Sequence, residues 1–347
     1  MPYLEKELFV AERAVLRAAL LTKEVQASVQ ELPKDDATPV TIADFAAQAL
    51  LISAIHGAFP EDRFVGEEDS TALREDVALR NRVYELVNRA KSHGFDGLAG
   101  PDSEEDMLRM IDLGGSGKGG CEGRFWVMDP VDGTATFLRG EQYAVSLALI
   151  EDGRQILGVL ACPNLKLDQS GRVRETSIDK EGLGVMLSVV KGQGVSIRYP
   201  TKGTDLPPAQ PLAGLLAPAR TEDYHIVNTS TSSSTRMDIA ENVAAKLGAK
   251  YPGTDIWSSH MRYATLVVGG GDFFVRVPAK KTAKSYIWDH AGAQLIFTEL
   301  GGRITDLEGK EIDFGAGRDL EKNHGLVAAR GNAYDVVFET VKAVTAA

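Results

Sequence analysis

Apolar residues at Leu4, Leu8, Ala11, Val15 and Ala18 recur at helical spacing, so residues from about 4 to 29 read as an amphipathic helix. Asp35-Asp36-Ala37-Thr38-Pro39 breaks that period. Asp44 then stands as an N-terminal residue of a second helix carrying Ala47, Leu51, Ile55 and Phe59. The short apolar pair Phe64-Val65 leads into Gly66-Glu67-Glu68-Asp69, a strand end or turn, and residues 71–92 read as helical with one charged side. Six glycines between Leu113 and Gly123 read as a mobile loop, because no strand precedes them as a dinucleotide-binding turn requires. Phe125-Trp126-Val127-Met128 reads as a buried strand, and the segment after it as a tight turn.

Tyr143 to Ile150, Glu151-Asp152-Gly153 and Ile156 to Cys162 form a strand-turn-strand pattern. Another strand pair is expected at Val185 to Val190 and Gly194 to Tyr199. Residues 200–220 are rich in Pro, Gly and Ala and mark a boundary, giving an α+β first domain over 1–205 and an α/β second domain over 206–347. Beyond it, strands at Tyr224 to Asn228, Phe273 to Val277, Gly302 to Thr305 and Gly325 to Ala329 alternate with helices near 237–247, 259–269, 289–299 and 334–345. Such alternation favours helices covering a sheet.

With 44% hydrophobic and 25% charged residues in 347, the composition is that of an ordinary globular protein. A net charge of −11 argues against a nucleic-acid polymer as partner, since counterion release needs a basic face. It leaves a small anionic substrate open, because a divalent metal can invert the local field. The only cysteines, Cys121 and Cys162, form no CxxC pair, which disfavours zinc, excludes a disulfide framework and fits a reducing compartment. Met1-Pro2-Tyr3-Leu4-Glu5-Lys6 lacks the pattern of a signal peptide, and no apolar run approaches transmembrane length. A cytoplasmic location is expected, with the nucleus also open, no membrane partner, and a monomer or homodimer.

The densest chemistry is Asp129-Pro130-Val131-Asp132-Gly133-Thr134. Two carboxylates so close repel unless a cation lies between them, and hard oxygen ligands at this spacing suit Mg²⁺ with substrate phosphate. The same residues are also ordinary turn formers, so alone the segment leaves both readings open. Asp289, in Ile287-Trp288-Asp289-His290-Ala291-Gly292-Ala293, would alone read as a helix N-cap.

Together with Glu67, Glu68 and Asp44, these motifs resemble the inositol monophosphatase superfamily of Mg²⁺-dependent, lithium-sensitive phosphatases. Its signature is Asp-Pro-[Ile/Leu/Val]-Asp-Gly-Thr with an upstream Gly-Glu-Glu and a downstream Trp-Asp-x-Ala. Within it, Pro39-Val40-Thr41 to Asp44-Phe45-Ala46-Ala47-Gln48, Phe137 to Val145 and Cys162-Pro163-Asn164-Leu165 are similar to the 3′(2′),5′-bisphosphate nucleotidases of fungi and plants. These remove the 3′-phosphate of adenosine 3′,5′-bisphosphate. The resemblance implies a layered αβαβα sandwich with the site between its halves.

It also implies roles. Glu67, Asp129 and the Val131 carbonyl would bind one Mg²⁺, and Asp129, Asp132 and Asp289 a second, with a weaker third ion sharing Glu67. Asp44 and Thr134 would activate the attacking water. The Gly133 and Thr134 amides would face phosphate oxygens, and Ser259, Arg262 and Arg276 would contact a nucleotide. For Arg262 and Arg276 a solvated or strand-edge charge is the competing reading.

The chain departs from that pattern around the phosphate and the base. Ala135-Thr136 stands where the nucleotidases usually have Lys-Gly, and Ser285-Tyr286-Ile287 where they have Glu-Lys-Ile. Gly292-Ala293 reverses their Ala-Gly. Thr231-Ser232-Ser233-Ser234-Thr235-Arg236 lacks the histidine that packs on adenine in the fungal enzymes. The chain is therefore expected to be a bisphosphate nucleotidase with a variant pocket. The alternatives are a paralogue acting on an inositol polyphosphate or another phosphorylated metabolite, or a catalytically silent relative.

Overall fold

The computed structural model describes residues 3–29, 38–92, 94–229, 234–280 and 282–346. Helices α1 (Glu5–Val29) and α2 (Thr38–Ala58) lead into strand β1 (Arg63–Gly66) and helices α3 (Thr71–Glu75), α4 (Val77–Lys91) and α5 (Glu104–Gly115). Strand β2 (Arg124–Asp132), the short helix α6 (Thr134–Leu138) and strands β3 (Ala144–Glu151), β4 (Arg154–Cys162), β5 (Val185–Val190), β6 (Val195–Arg198) and β7 (Gln210–Leu212) follow. The remainder is β8 (His225–Asn228), α7 (Met237–Leu247), β9 (Lys250–Asp255), α8 (Ser259–Val268), β10 (Phe273–Arg276), α9 (Ala291–Glu299), β11 (Gly302–Thr305), β12 (Leu326–Arg330) and α10 (Tyr334–Thr345).

Strands β1 to β7 form one sheet in chain order, parallel at β1–β2 and antiparallel from there on. The second sheet runs β11-β12-β10-β8-β9, with β8 parallel to both β10 and β9. Alternation along the strands sets the layers. Trp126, Met128, Val145, Leu147 and Leu149 face a core with α1, α2, α4 and α5. On the opposite face Ala144, Leu160, Leu187 and Val189 meet α8 and α9, which also pack on the second sheet through Val227 and Phe274. Helices α7 and α10 cover that sheet's outer face through Val243, Val337 and Val341. The five layers are the αβαβα sandwich that the sequence led us to expect.

Four expectations need correction. Residues 71–92 are two helices, broken where Asp76 turns extended and caps α4 by accepting from Leu79 N. The glycine-rich segment is helical as far as Gly115, because Ser103 caps α5 and Met107, Leu108, Met110 and Ile111 bury one face. Asp44 lies inside α2 rather than at its start, since the helix begins at Thr38. One stretch also reaches membrane-spanning length: Thr41–Ala58 of α2 is 18 residues with a mean hydropathy of 1.3. Its apolar character is that of a core helix, with Ala46, Leu50 and Leu51 fully buried.

The reversed Gly292-Ala293 order has a steric reason. A Cβ on Gly292 would lie 2.6 Å from the Ser146 Oγ of β3, where the first turn of α9 packs on the sheet. Gly292→Ala is therefore expected to destabilise the fold by about 1–3 kcal/mol, as overpacking does, with Ser146→Ala in the same chain recovering part of the loss. Denaturant unfolding measures both.

Candidate active site

In a regular strand, residues three apart face opposite sides of the sheet. Asp129 and Asp132 do not, because β2 bulges between them: Asp129 pairs with Ser146 and Asp132 with Ala144, so two residues, Pro130 and Val131, oppose one. The segment read as a turn after the strand is thus the strand's own bulged end. Proline, which cannot donate to the ladder, is tolerated there. The bulge turns both carboxylates toward the α8–α9 layer. Gly133 follows with φ of 103°, a left-handed conformation that reverses the chain into α6.

The first half supplies the next carboxylates. Asp44 and Gln48 are one turn apart on α2. Gln48 holds the Glu67–Glu68 segment from both sides, donating Nε2 to the Glu68 carbonyl at 2.7 Å and accepting from Glu68 N at 3.0 Å. Arg318, from the second half, reaches the same segment. It donates to the carbonyls of Gly66 (2.9 Å), Gly114 (3.1 Å) and Gly117 (3.0 Å), and its guanidinium lies over the Trp288 ring at 4.6 Å. One side chain thus joins the Glu67 loop to the Trp288-Asp289 segment. Asp289 itself precedes α9, whose N-cap is His290, so the N-cap reading of Asp289 does not hold.

Asp132 is bound to the second half directly. Its Oδ2 accepts from Ser258 Oγ and His260 N, both at 2.5 Å, and Oδ1 from Ser259 N at 3.2 Å. These groups open α8, so the carboxylate sits where the helix dipole favours negative charge. A ring nitrogen of His260 lies within 4.8 Å of carboxylate oxygens of Asp129 and Asp132. The other His260 contact, Nε2 to the Trp288 carbonyl at 2.7 Å, fixes the ring.

A cleft of about 500 Å³ between the halves is lined by Glu67, Asp129, Val131, Asp132, Gly133, Thr134, Ser259, Arg262, Arg276 and Asp289. A larger cavity of about 960 Å³, along α1 and α4, holds none of these carboxylates. Of the expected site residues, only Asp44 is missing from the cleft wall. It is buried behind it, its Oδ1 is unpartnered, and no hydrogen bond joins it to Thr134 among the described residues. The Ser/Thr turn lies partly outside the described residues, which include its Ser234 and Thr235 on the cleft wall. Ser258, His260, Arg318 and Trp257 were not singled out by sequence, and Gln48 appeared only as the end of the Asp44 stretch, without a role. Only Ser258, an N-cap residue before an apolar run, carried a local signal.

The carboxylates oppose one another. Burial, then Glu68 and Glu67, raises Asp44 well above the usual carboxylate range; burial, then Glu67, Asp132, Asp289 and Asp44, does so for Asp129. Glu67 faces the open cleft, yet desolvation by its walls followed by Glu68, Asp289 and Asp132 pushes it up to about 8. Desolvation raises Glu68 to about 7 and Asp289 to about 6. None of these acids nor Asp132 forms an ion pair among the described residues. Asp129 Oδ1 is buried without a partner. An array of hard oxygen donors short of positive charge fits Mg²⁺.

Arg262 and Arg276 stand across the cleft. Arg262 is desolvated, which lowers its pKa; it donates Nη2 to Ser259 Oγ at 3.0 Å, and its Nε is buried without a partner. Arg276 ends β10, an interior strand, and donates to Ser285 Oγ at 3.2 Å. Neither pairs with a carboxylate among the described residues and both line the cleft; Arg262 lies on a helix and Arg276 on an interior strand, so neither is a strand-edge charge.

A bulged strand, a helix start and a glycine-ended strand bringing carboxylates together between two sheets define an α/β protein with an acidic cleft that could hold a metal ion. The chain belongs to the inositol monophosphatase family, which it matches over residues 4–346. It is similar to the 3′(2′),5′-bisphosphate nucleotidases of Emericella nidulans (40% identical; 98% of this chain and 98% of the relative) and Schizosaccharomyces pombe (39%; 98% and 96%). The 3′(2′),5′-bisphosphate nucleotidase of Oryza sativa is 36% identical over 97% of this chain and 93% of its own. Among solved structures, Mycobacterium tuberculosis SuhB matches in fold, with a TM-score of 0.59 at 18% identity, covering 99% of this chain and 98% of that one.

Proposed function

We propose that this chain is a Mg²⁺-dependent, lithium-sensitive phosphomonoester hydrolase that converts adenosine 3′,5′-bisphosphate to AMP and phosphate. The fungal and plant relatives named above support the reaction. The observation that carries the bisphosphate specificity is the pair of arginines without carboxylate partners, facing the carboxylate array across one cleft. A substrate with one phosphate to be cleaved and a second to be held satisfies both ends, and Arg suits the second because its planar fork matches phosphate oxygens.

Glu67, Asp129, the Val131 carbonyl, Asp132 and Asp289 would hold the ions. When bound, Mg²⁺ lowers the pKa of water and offsets the charge on the phosphoryl group. The chain does the rest. The Gly133 and Thr134 amides donate to phosphate oxygens, and the Thr134 hydroxyl on the cleft wall orients the attacking water; Asp44, behind that wall, would take up the water's proton through Thr134, a contact absent among the described residues. The water oxygen bonds to phosphorus as the bond to the ribose 3′ oxygen breaks; that oxygen takes a proton from solvent at the open cleft, and the proton removed from the attacking water returns to solvent.

Ala135 favours one further reading. It lines the cleft where the resemblance leads one to expect lysine, so the phosphate end has lost a cation. A paralogue acting on another phosphorylated small molecule would fit that loss. Phosphate release from adenosine 3′,5′-bisphosphate, inositol 1,4-bisphosphate and a panel of small phosphates, with and without Mg²⁺ and Li⁺, separates the two. Fastest release from the nucleotide, inhibited by Li⁺, is the expected result. Release from inositol 1,4-bisphosphate but not from the nucleotide would move the assignment to the paralogue.

A further inference from the structure

Two of the three tryptophans are fully engaged. Trp126 donates Nε1 to Asp62 at 2.8 Å and stacks on Phe59, and Trp288 is sandwiched between Tyr286 and the Arg318 guanidinium. Trp257 is different. Its indole has no ring, cation or hydrogen-bond partner among the described residues, and it is half-buried on the wall of the acidic cleft. It is the one aromatic side chain among the described residues that line that cleft.

The backbone that carries it is held firmly. Trp257 N donates to Glu175 Oε2 at 3.0 Å. On one side Ile256 is fully buried, donates to the Asn228 carbonyl at 2.9 Å and accepts from Thr229 Oγ1 at 2.9 Å. On the other side, Ser258 donates to Asp132. The backbone that carries the indole is therefore fixed, one residue from the Ser258 that holds Asp132, and Arg262 is on the helix that follows it. An unpartnered aromatic face carried on a firmly held backbone, in a cleft lined by carboxylates and arginines, suits a planar π-system, because stacking on it tolerates any base.

We propose that Trp257 is a specificity-determining residue that stacks on the nucleobase of the substrate. The proposal rests on the phosphatase reading above and deepens it. The carboxylate end takes the phosphate to be cleaved, Arg262 and Arg276 take the second phosphate, and the indole takes the base. It also answers one of the departures that weakened the nucleotide reading, the missing histidine. Residues 231–236 carry no ring side chain, and the stacking surface comes instead from the approach to α8.

The test compares Trp257→Ala and Trp257→Phe with the wild type, using calorimetric binding of AMP and of inorganic phosphate in the presence of Mg²⁺, and turnover of adenosine 3′,5′-bisphosphate. Trp257→Ala is expected to weaken AMP binding and raise KM by about tenfold or more. Its kcat should stay within about twofold, because the ring contributes binding shared by ground and transition states. Trp257→Phe should recover most of the affinity, and inorganic phosphate should bind all three chains alike. Unchanged AMP affinity in Trp257→Ala, or equal losses for AMP and inorganic phosphate, would overturn the proposal. So would a wild-type chain that binds no AMP. A wild type that binds AMP but releases no phosphate would overturn the phosphatase reading instead, and the AMP arm would still decide the role of the indole.

Discussion

Asp129→Asn is expected to reduce Mg²⁺-dependent phosphate release by about a thousandfold or more, because it withdraws a charge that supports several kcal/mol of transition-state stabilisation. The same substitution is expected to raise the melting temperature of the metal-free chain. Asp129 is 2% exposed, has an unpartnered Oδ1 and is opposed by Glu67, Asp132, Asp289 and Asp44, so a neutral amide removes a repulsion. Asp132→Asn should abolish turnover as well but have the opposite effect on stability. Its carboxylate accepts from Ser258 Oγ, Ser259 N and His260 N at the start of α8, and weakening charge-assisted bonds of that kind costs about 1–2 kcal/mol. Phosphate release and thermal unfolding in chelator test both variants. Wild-type turnover in either would refute the assignment of these acids. Equal stability changes would refute the distinct setting given to Asp132.

The metal-free chain should lose stability as pH rises from about 4.5 to about 8. The sign follows from proton counting. Glu67, with an ordinary value of 4.5, is held at about 8, Glu68 at about 7 and Asp289 at about 6, and burial raises Asp44 and Asp129 as well. In that window the folded chain binds more protons than the unfolded one, so raising the pH favours unfolding. Glu67 faces the open cleft and its part is screened by solvent, whereas Asp44 and Asp129 are buried and their parts are not. Millimolar Mg²⁺ should reverse the loss, and its effect on melting temperature should be greater at pH 8 than at pH 6, where protons compete for the same oxygens. Melting curves with chelator and with Mg²⁺ at the two pH values check this. A metal-free melting temperature that climbs from pH 6 to pH 8, or a Mg²⁺ effect independent of pH, would contradict it.

The acids were legible because each lies in a short local pattern: Glu67 after an apolar pair, Asp129 and Asp132 after another, Asp289 before an apolar period. What brings them together was less so. The bulge at Pro130-Val131 looks like a turn in sequence, because the same residues serve both, and only pairing with β3 distinguishes them. Helix α5 was hidden by the glycines that end it, and β9 by Pro252 and Gly253, which an edge strand tolerates. Arg318 and Gln48 act through backbone carbonyls and amides far away in the chain, and nothing local marks such a residue. Trp257 was overlooked because a lone tryptophan reads as core until its neighbours are known.

The central claim is that acids from both halves of the chain make one Mg²⁺-dependent phosphatase centre. Its most direct test is phosphate release from adenosine 3′,5′-bisphosphate by the purified wild type, with Mg²⁺ and with excess chelator, beside Asp129→Asn. Release that requires Mg²⁺, stops on chelation and is absent from the variant is the predicted result. Release undiminished by chelator, or equal in the variant, would contradict it.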